Sequence, residues 1–357
     1  MLLGCIRYLE NFDFQLIWEA LHEKNLWLKL APHLAKEERF YLPVYKDSKR
    51  PLWMIRIGLC LYDILSSLKN TPHSVANAKQ TLNVLPRLNS SGLSGAGIYS
   101  DAIVDDLKLT LEVIYDALKE PGQKACNHVS LKAFQRHRDY CELTLYDHLT
   151  GEEKKVWANQ IVFATGPFTD RVLTDLGMKW KPRLLPSKGS HLWIKKSSLP
   201  VEFPLVITTR DDRVIFVIPH KEKVLVGTTE EKINDEFFDI QASQREIDYL
   251  IQNLKNYFPG FREEGAILSS FAGIRPLVAD EESSDPGKTS REHKTFRPYH
   301  NVYVLLGGKY TTFRVMAQAV SREISLTHGK VYNSLKSLKP LRQRSYFYKD
   351  CEDIKLK

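Results

Sequence analysis

The chain has 357 residues, of which 43% are hydrophobic and 26% are charged, and its formal net charge is +8. These values suit a globular protein of one large or two ordinary domains. Lys and Arg are spread along the chain, and no helix-turn-helix, zinc-finger or RRM signature is present. The excess of basic residues therefore favours an anionic substrate, an anionic cofactor or an acidic membrane surface as the binding partner, rather than a nucleic acid.

The cysteine content argues against a secreted, disulfide-bonded protein. The five cysteines are Cys5, Cys60, Cys126, Cys141 and Cys351. Their number is odd and no two have the C-x-x-C spacing, which predicts free thiols in a reducing compartment and no zinc site. The histidines also lack metal-binding spacing. Because the N-terminal segment has neither a basic region nor a long apolar run, we predict no signal peptide and a cytoplasmic location.

The first 118 residues predict two long helices separated by strand and loop. Apolar residues recur at helical spacing over 14–30 and 101–118, and Asp105 and Asp106 stand near the start of the second helix. A short strand is predicted at 40–45 and loops at 71–97. Segment 51–68 is apolar but carries Arg56 and Asp63, so we expect a buried or interfacial amphipathic helix and no membrane span.

Strand-like patterns dominate from residue 128 onward. The predicted strands are 141–147, 160–166, 191–194, 205–209, 214–219, 224–228, 266–275 and a last one ending at Leu306. Helices are predicted at 170–176 and 243–257, a polar loop at 280–297 and an irregular basic tail after 326. The mixture predicts an α/β architecture with an added antiparallel sheet, its two parts interleaved in the sequence.

The last strand runs into a motif suited to cofactor binding. The segment reads Val304-Leu305-Leu306-Gly307-Gly308-Lys309-Tyr310-Thr311-Thr312-Phe313-Arg314. A strand, two glycines, a lysine, two hydroxyls and a helix bring backbone N–H groups and one cation to a helix N-terminus. An ordinary strand–turn–helix has the same local pattern, so the motif alone leaves both interpretations open.

Nine short segments together decide between them. They are Ile6-Arg7-Tyr8-Leu9-Glu10; Ala31-Pro32-His33-Leu34; Leu42-Pro43-Val44-Tyr45; Tyr99-Ser100-Asp101 with Asp105-Asp106; Ala164-Thr165-Gly166-Pro167; Ser187-Lys188-Gly189-Ser190-His191; Val226-Gly227-Thr228-Thr229; Gly273-Ile274-Arg275-Pro276-Leu277; and Gly307-Gly308-Lys309 with Thr311-Thr312. In this order they make the chain resemble the FAD-dependent, quinone-linked glycerol-3-phosphate dehydrogenases of the D-amino-acid oxidase-like flavoprotein superfamily.

The resemblance implies that glycerol 3-phosphate is oxidised to dihydroxyacetone phosphate, with hydride passing to flavin N5 and electrons continuing to quinone. Such a site needs guanidinium groups for the phosphate, a cation near the alcohol oxygen and a proton acceptor. By resemblance, the catalytic residues are Arg275, Lys309 and His191, and the substrate-binding residues are Arg7, Tyr8 and Arg291. The residues that would contact FAD are Thr165, Gly166, Pro167, Gly307, Gly308, Lys309, Thr311 and Thr312.

Other interpretations of single residues remain open. Arg7 taken alone could be a surface charge at a helix start, Arg291 a solvated charge and His191 a satisfied core histidine. Arg275 stands on a strand between Ile274 and Pro276, which is a poor place for a surface charge and favours a function.

The resemblance also implies a fold and its division. The expected fold is a Rossmann-like FAD-binding domain interleaved with an antiparallel-sheet substrate domain. We assign 1–180 and 265–330 to a partial FAD-binding domain containing substrate-domain segments, 181–264 mainly to the substrate domain, and 331–357 to a basic tail. The family begins with a G-x-G-x-x-G βαβ unit of roughly 30 residues. No such unit precedes Arg7, so we expect a truncated chain that binds FAD weakly or not at all and is poorly stable.

Two alternative functions follow from the same residues. One is the related glycerol-3-phosphate oxidase, which passes electrons to O₂; the other is a non-catalytic remnant that binds an anionic ligand. The family further implies contact with the cytoplasmic face of a membrane, and a homodimer is a further expectation.

Overall fold

The protein is described here by a computed structural model that covers residues 1–4, 6–233, 238–279 and 293–341, with Arg7 and Asn11 as backbone only. The α-helices in these ranges are α1 (Phe14–Leu30), α2 (Leu52–Leu65), α3 (Ala78–Val84), α4 (Asp106–Ala117), α5 (Thr169–Asp175), α6 (Gln244–Tyr257) and α7 (Phe313–Thr327). Short 3₁₀ helices span Ile6–Asn11, Gly166–Phe168, Tyr310–Thr312 and Ser334–Leu338.

The strands in the same ranges are β1 (Ala35–Tyr45), β2 (Ser74–Asn77), β3 (Leu93–Val104), β4 (Val129–Arg136), β5 (Cys141–Asp147), β6 (Glu153–Ala158), β7 (Ile161–Phe163), β8 (Leu184–Lys195), β9 (Leu205–Thr208), β10 (Val214–His220), β11 (Lys223–Gly227), β12 (Glu231–Lys232), β13 (Ile267–Val278), β14 (His293–Tyr299) and β15 (Val302–Gly307).

The strands form three sheets. The largest has nine strands in the order β12-β8-β11-β10-β9-β1-β3-β2, and β13 pairs with β8. A second sheet has the order β14-β15-β7, in which β15 and β7 are parallel, and the third is the antiparallel meander β4-β5-β6. This mixed α/β architecture confirms the predicted fold class.

Helix α6 covers part of the largest sheet and shows how local sequence starts an element. Ser243 caps the helix and Glu246 completes a capping box with it. Leu250 and Leu254 are fully buried in the main core cluster, together with Leu192 and Val224 from the sheet. The apolar spacing thus places one face of α6 on β8.

Three predictions of local structure were wrong. The segment 71–97, predicted as loops, contains β2, α3 and the start of β3. Glycines misled the prediction: a Cβ on Gly97 would lie 2.6 Å from Ile55 Cγ2, and one on Gly95 would lie 2.1 Å from the Ala76 carbonyl oxygen. Both glycines therefore allow close packing inside the sheet and do not form a turn.

The other two errors concern element boundaries. The helix predicted from residue 101 begins at Asp106, because β3 continues to Val104 along β1 with Ala35 opposite Val104. The polar loop predicted at 280–297 includes β14, which pairs with β15; residues 280–292 lie outside the described ranges.

Segment 51–68 forms the predicted helix, as α2. No helix in the described part of the chain has the length and apolar content needed to cross a membrane. The division into domains stays a prediction.

Candidate functional site

A cavity of about 1340 Å³ opens between the N-terminal 3₁₀ helix, α2 and the largest sheet. Its walls include the predicted residues Tyr8 and Arg275, together with Asp101, Thr228 and Thr229. These residues come from four separate stretches of the chain, which the sheet brings together.

Arg275 stands on β13 beside β8, and its guanidinium group is held over that neighbouring strand. A Cβ on Gly189 would lie 2.3 Å from Arg275 Nη2, so only glycine leaves room for the guanidinium there. Nη2 donates to Thr228 Oγ1 at 2.6 Å, and both Nη1 and Nη2 lie 3.3 Å from the Thr229 carbonyl oxygen. These contacts fix a permanent positive charge at the cavity wall.

His191 lies near Arg275 on the adjacent strand. Its ring stacks on Phe271, with the centroids 5.0 Å apart, and packs over Gly227 on the other side. Burial and the positive charge of Arg275 lower the pKa of His191 to about 4. The imidazole is therefore neutral at pH 7, and its buried Nδ1 has no hydrogen-bond partner among the residues that the structure describes.

Lys309 reaches the N-terminal segment and contacts Tyr8. Its Nζ lies 4.2 Å from the centroid of the Tyr8 ring, a cation–π geometry. Tyr8 lines the cavity together with Arg275, whereas Lys309 and His191 are not among the residues that line it.

The glycines predicted to contact FAD lie at the carboxyl ends of strands β7 and β15 in the second sheet; this end of the sheet is called its edge below. Because β7 and β15 are parallel, the loops beginning at Ala164 and at Gly308 both leave the sheet at the carboxyl ends of these strands, although β15 continues three residues beyond the partner of Phe163. Gly166, Gly307 and Gly308 adopt φ values of 57°, 70° and 82°. Each loop leads into a helix, α5 or α7, so backbone N–H groups gather at this edge.

The predicted threonines bond to the protein itself. Thr165 Oγ1 lies 2.9 Å from Thr169 Oγ1, next to the turn in which Pro167 follows Gly166. Thr311 Oγ1 accepts from the Leu3 N–H at 3.1 Å, and Thr312 Oγ1 lies 3.3 Å from the Lys309 carbonyl oxygen. Thr311 and Thr312 thus fix the N-terminal segment and the lysine turn.

Two predicted substrate arginines have no described side chain. Arg7 lies in the 3₁₀ helix Ile6–Asn11, directly before Tyr8, with only its backbone described. Arg291 lies outside the described residues. Both assignments remain predictions.

Two acidic residues were not predicted as part of the site. Asp101 is 1% exposed and accepts from the Gly4 N–H and the Tyr62 hydroxyl, each at 3.0 Å. Burial raises the pKa of Asp101 to about 6, although the Lys24 charge opposes the shift. Asp101 belongs to the Tyr99-Ser100-Asp101 segment of the family resemblance, but its burial has no local signal because it depends on contacts with the distant Gly4 and Tyr62.

Glu246 is the second such residue. It does not line the cavity but binds residues that lie next to Arg275 and His191. Its carboxylate accepts from Ser190 Oγ and Thr229 Oγ1, both at 2.7 Å, and from Lys188 Nζ at 2.8 Å. The pattern Ser243-x-x-Glu246 before an apolar run does predict a capping box, but not these additional contacts. No group of His, Cys, Asp and Glu side chains in the described ranges could hold a metal ion.

Comparison with known proteins finds relatives that match most of this chain. The model of the family described as FAD dependent oxidoreductase matches residues 1–322. The aerobic glycerol-3-phosphate dehydrogenase of Bacillus subtilis (strain 168) is 32% identical over 320 residues, which cover 89% of this chain and 57% of that protein. The alpha-glycerophosphate oxidase of Streptococcus pyogenes serotype M6 is 31% identical over 293 residues, covering 79% and 48%.

A solved structure shows the same relationship. The glycerol-3-phosphate dehydrogenase from Bacillus halodurans, complexed with FAD, superposes with a TM-score of 0.74 at 25% identity, covering 89% of this chain and 57% of that one. The chain thus spans little more than half the length of these two dehydrogenases. Because the family model covers most of the chain, the resemblance found in the nine segments is confirmed: the chain belongs to the FAD dependent oxidoreductase family.

Proposed function

We propose that this protein oxidises glycerol 3-phosphate to dihydroxyacetone phosphate, with FAD as cofactor and a quinone as the final electron acceptor. The observation that carries the proposal is Arg275, a fixed cation in the wall of a large cavity that it shares with Tyr8. Relatives at 31–32% identity that are named for glycerol-3-phosphate or alpha-glycerophosphate oxidation support the choice of substrate.

The edge of the second sheet fits FAD. Gly307 and Gly308 have positive φ values, and a Cβ on Gly308 would lie 2.4 Å from Met316 Sδ, so the chain turns tightly into α7. The N-terminus of this 15-residue helix favours a negative group, and a Cβ on Gly166 would meet open space. When bound here, FAD supplies the group that accepts the hydride.

The chain's own residues have distinct roles in this proposal. Arg275 binds the phosphate dianion, and Thr228 and Thr229 keep its guanidinium in place. Lys309, stacked on Tyr8, stabilises negative charge that develops on the alcohol oxygen. His191 is neutral above pH 4 and accepts the hydroxyl proton, which becomes acidic as the alcohol is oxidised.

Anaerobic flavin spectroscopy tests this function. The full chain is supplied with FAD, freed of excess by gel filtration and mixed with glycerol 3-phosphate; bleaching of the flavin band is expected. Glycerol, which lacks the phosphate, should bleach it far more slowly. Arg275→Lys should weaken glycerol 3-phosphate binding roughly 10- to 100-fold through loss of the guanidinium fork. A flavin that stays oxidised in the unmodified protein contradicts the proposal.

The electron acceptor separates the two enzymatic alternatives. Similarity to an alpha-glycerophosphate oxidase favours O₂ as a second candidate acceptor. Stoichiometric peroxide in aerobic turnover, unaffected by a soluble quinone, would identify an oxidase. Binding of glycerol 3-phosphate without flavin reduction would identify an anion-binding protein.

A quinone acceptor implies access to lipid, and α2 offers a suitable surface. Trp53, Ile57 and Ile64 are 63%, 60% and 64% exposed and share one face of this helix, where Ile57 also borders the cavity. Arg56 and Lys69 are exposed beside them. An amphipathic helix with tryptophan and flanking cations is typical of proteins that lie on an anionic membrane surface. We include peripheral membrane contact through α2 in the proposal.

A further inference from the structure

A cysteine, a histidine and an aspartate form a hydrogen-bonded chain away from the cavity. Cys60 Sγ lies 3.5 Å from His73 Nε2, and His73 Nδ1 lies 2.7 Å from Asp63 Oδ2. Cys60 and Asp63 belong to α2, and His73 stands just before β2. None of the three lines the cavity that holds Arg275.

Asp63 fixes both the position and the tautomer of the imidazole. This aspartate is 8% exposed, and its carboxylate accepts from the His73 backbone N–H at 2.9 Å as well as from the ring. An ionised carboxylate can only accept hydrogen bonds, so Nδ1 must carry the proton and donate it. Nε2 of the neutral ring is then a proton acceptor directed at the Cys60 thiol.

The thiol itself is open to solvent. Cys60 is exposed and free of any disulfide, whereas Cys141 is also free but buried. A nucleophile within reach of a base that a third group orients is the arrangement by which proteins activate Ser and Cys side chains. Cys60 lies between Ile57 and Ile64 on the face of α2 that we propose to contact the membrane, so its thiol is accessible to a soluble reagent in protein free of lipid.

We propose that Cys60 is an activated thiol that undergoes exchange with low-molecular-weight disulfides, with His73 as its base and Asp63 as the residue that positions the base. In this reaction the Cys60 thiol proton passes to His73 Nε2 and the sulfur attacks one sulfur of the disulfide. A bond forms between Cys60 and that sulfur while the disulfide bond breaks. The second sulfur leaves as a thiolate and takes the proton from His73, so atoms and electrons balance.

The size of the expected effect follows from thiol chemistry. A thiol in water has a reference pKa of about 8.5 and is only about 3% ionised at pH 7. Since the thiolate is the attacking species, a base that removes the proton can accelerate exchange by roughly tenfold or somewhat more. Cys126 is the matched control in the same molecule, because it is also exposed and free.

The experiment incubates the full chain with oxidised glutathione at pH 7 and follows each cysteine by peptide mass spectrometry. Cys60 should form its mixed disulfide about tenfold faster than Cys126. His73→Ala should reduce the Cys60 rate to that of Cys126 and leave Cys126 unchanged. Added imidazole should restore the Cys60 rate in this variant alone, a rescue that a purely structural role of His73 would not produce.

Two further measurements guard the interpretation. Asp63→Asn should slow Cys60 and, because the base remains, should do so less than His73→Ala. Circular dichroism at the reaction temperature shows whether each variant is folded. If His73→Ala is unfolded, His73→Gln replaces it as the variant without the base. Equal rates at Cys60 and Cys126 in the unmodified chain would overturn the proposal, as would an unchanged Cys60 rate in a folded His73 variant.

Discussion

The carboxylate of Glu246 accepts a hydrogen bond from Thr229 Oγ1 at 2.7 Å, while the backbone carbonyl of Thr229 faces the guanidinium of Arg275 at 3.3 Å. Thr229 therefore connects a buried carboxylate at the start of α6 to the cation in the cavity wall. Glu246 is 2% exposed and does not line the cavity. It acts on the site only through the residues that it holds.

Replacing Glu246 by Gln should weaken both the fold and anion binding. The variant loses the charge that faces Lys188 and weakens the bonds from Ser190 and Thr229, which should lower the free energy of unfolding by about 1–3 kcal/mol at pH 7. Arg275 should also be held less firmly, so calorimetric titration with glycerol 3-phosphate should show a higher Kd. Asp248→Asn, at an exposed position of the same helix, is the control and should change neither value.

The effect of Glu246 should depend on pH in a defined direction. Burial opposes ionisation, but the Lys188 ammonium and the bonds from Ser243, Thr229 and Ser190 outweigh it and lower the Glu246 pKa from 4.5 to about 2. A depressed carboxyl pKa contributes stability above pH 4.5 that is lost as the pH falls towards 2. Denaturant titrations of both proteins should therefore converge as the pH falls towards 2; a constant difference would contradict this account.

Gly308→Ala tests the tight turn into α7. A residue with a side chain is strained at φ 82°, and the new Cβ would lie 2.4 Å from Met316 Sδ. We expect a loss of about 1–2 kcal/mol in the free energy of unfolding by urea, together with weaker retention of FAD in gel filtration. Gly273→Ala on β13 is the matched control, because a Cβ there meets nothing within 4 Å. Similar losses in the two variants would show that the turn has no special role.

Elements with strong local signals could be predicted from the sequence. Helix α1 shows apolar residues at helical spacing, and the Asp13 side chain accepts from the Leu16 N–H at its start. Strands β9, β10 and β11 are short apolar runs bounded by charged turns. In these segments the local preference and the final environment agree.

Contacts that depend on strand pairing could not be predicted in this way. His191 and Arg275 come together because β8 and β13 are antiparallel neighbours, with Phe271 opposite His191 and Arg275 opposite Ser187. That register is set by packing across the sheet, so it cannot be predicted from the local sequence of either strand. The family resemblance named both residues, but only the fold shows that Thr228 and Thr229 hold Arg275 and that Glu246 holds Thr229.

Asp101→Asn should change how stability depends on pH. The pKa of Asp101 is raised from 3.8 to about 6, so the folded protein binds a proton there more tightly than the unfolded chain. Stability associated with this group is present below pH 3.8 and is lost as the pH rises through 6, by a total on the order of 3 kcal/mol. Asparagine does not titrate, so the variant should gain stability relative to the unmodified protein between about pH 4 and pH 7.

Thermal unfolding at several pH values measures this difference. A constant offset between the proteins is expected from the substitution itself, since the amide that replaces the carboxyl group brings two N–H donors into a buried place. The change of the offset with pH is the test. Asp175→Asn, whose side chain is 68% exposed, should show no such change. An Asp101 variant whose offset stays flat from about pH 4 to pH 7 would contradict a raised pKa.

Trp53→Ser should reduce binding to anionic lipid vesicles if α2 lies on the membrane. The side chain is 63% exposed on the apolar face of α2, and withdrawing it from lipid removes about 1.5–3 kcal/mol, or roughly tenfold or more in the partition coefficient. Trp157 on β6 is 61% exposed and provides the matched control as Trp157→Ser. In vesicle sedimentation at fixed salt, we expect only the Trp53 variant to lose affinity. An equal loss in both variants would mean that exposed tryptophans bind lipid regardless of place, and α2 would then not be the membrane surface.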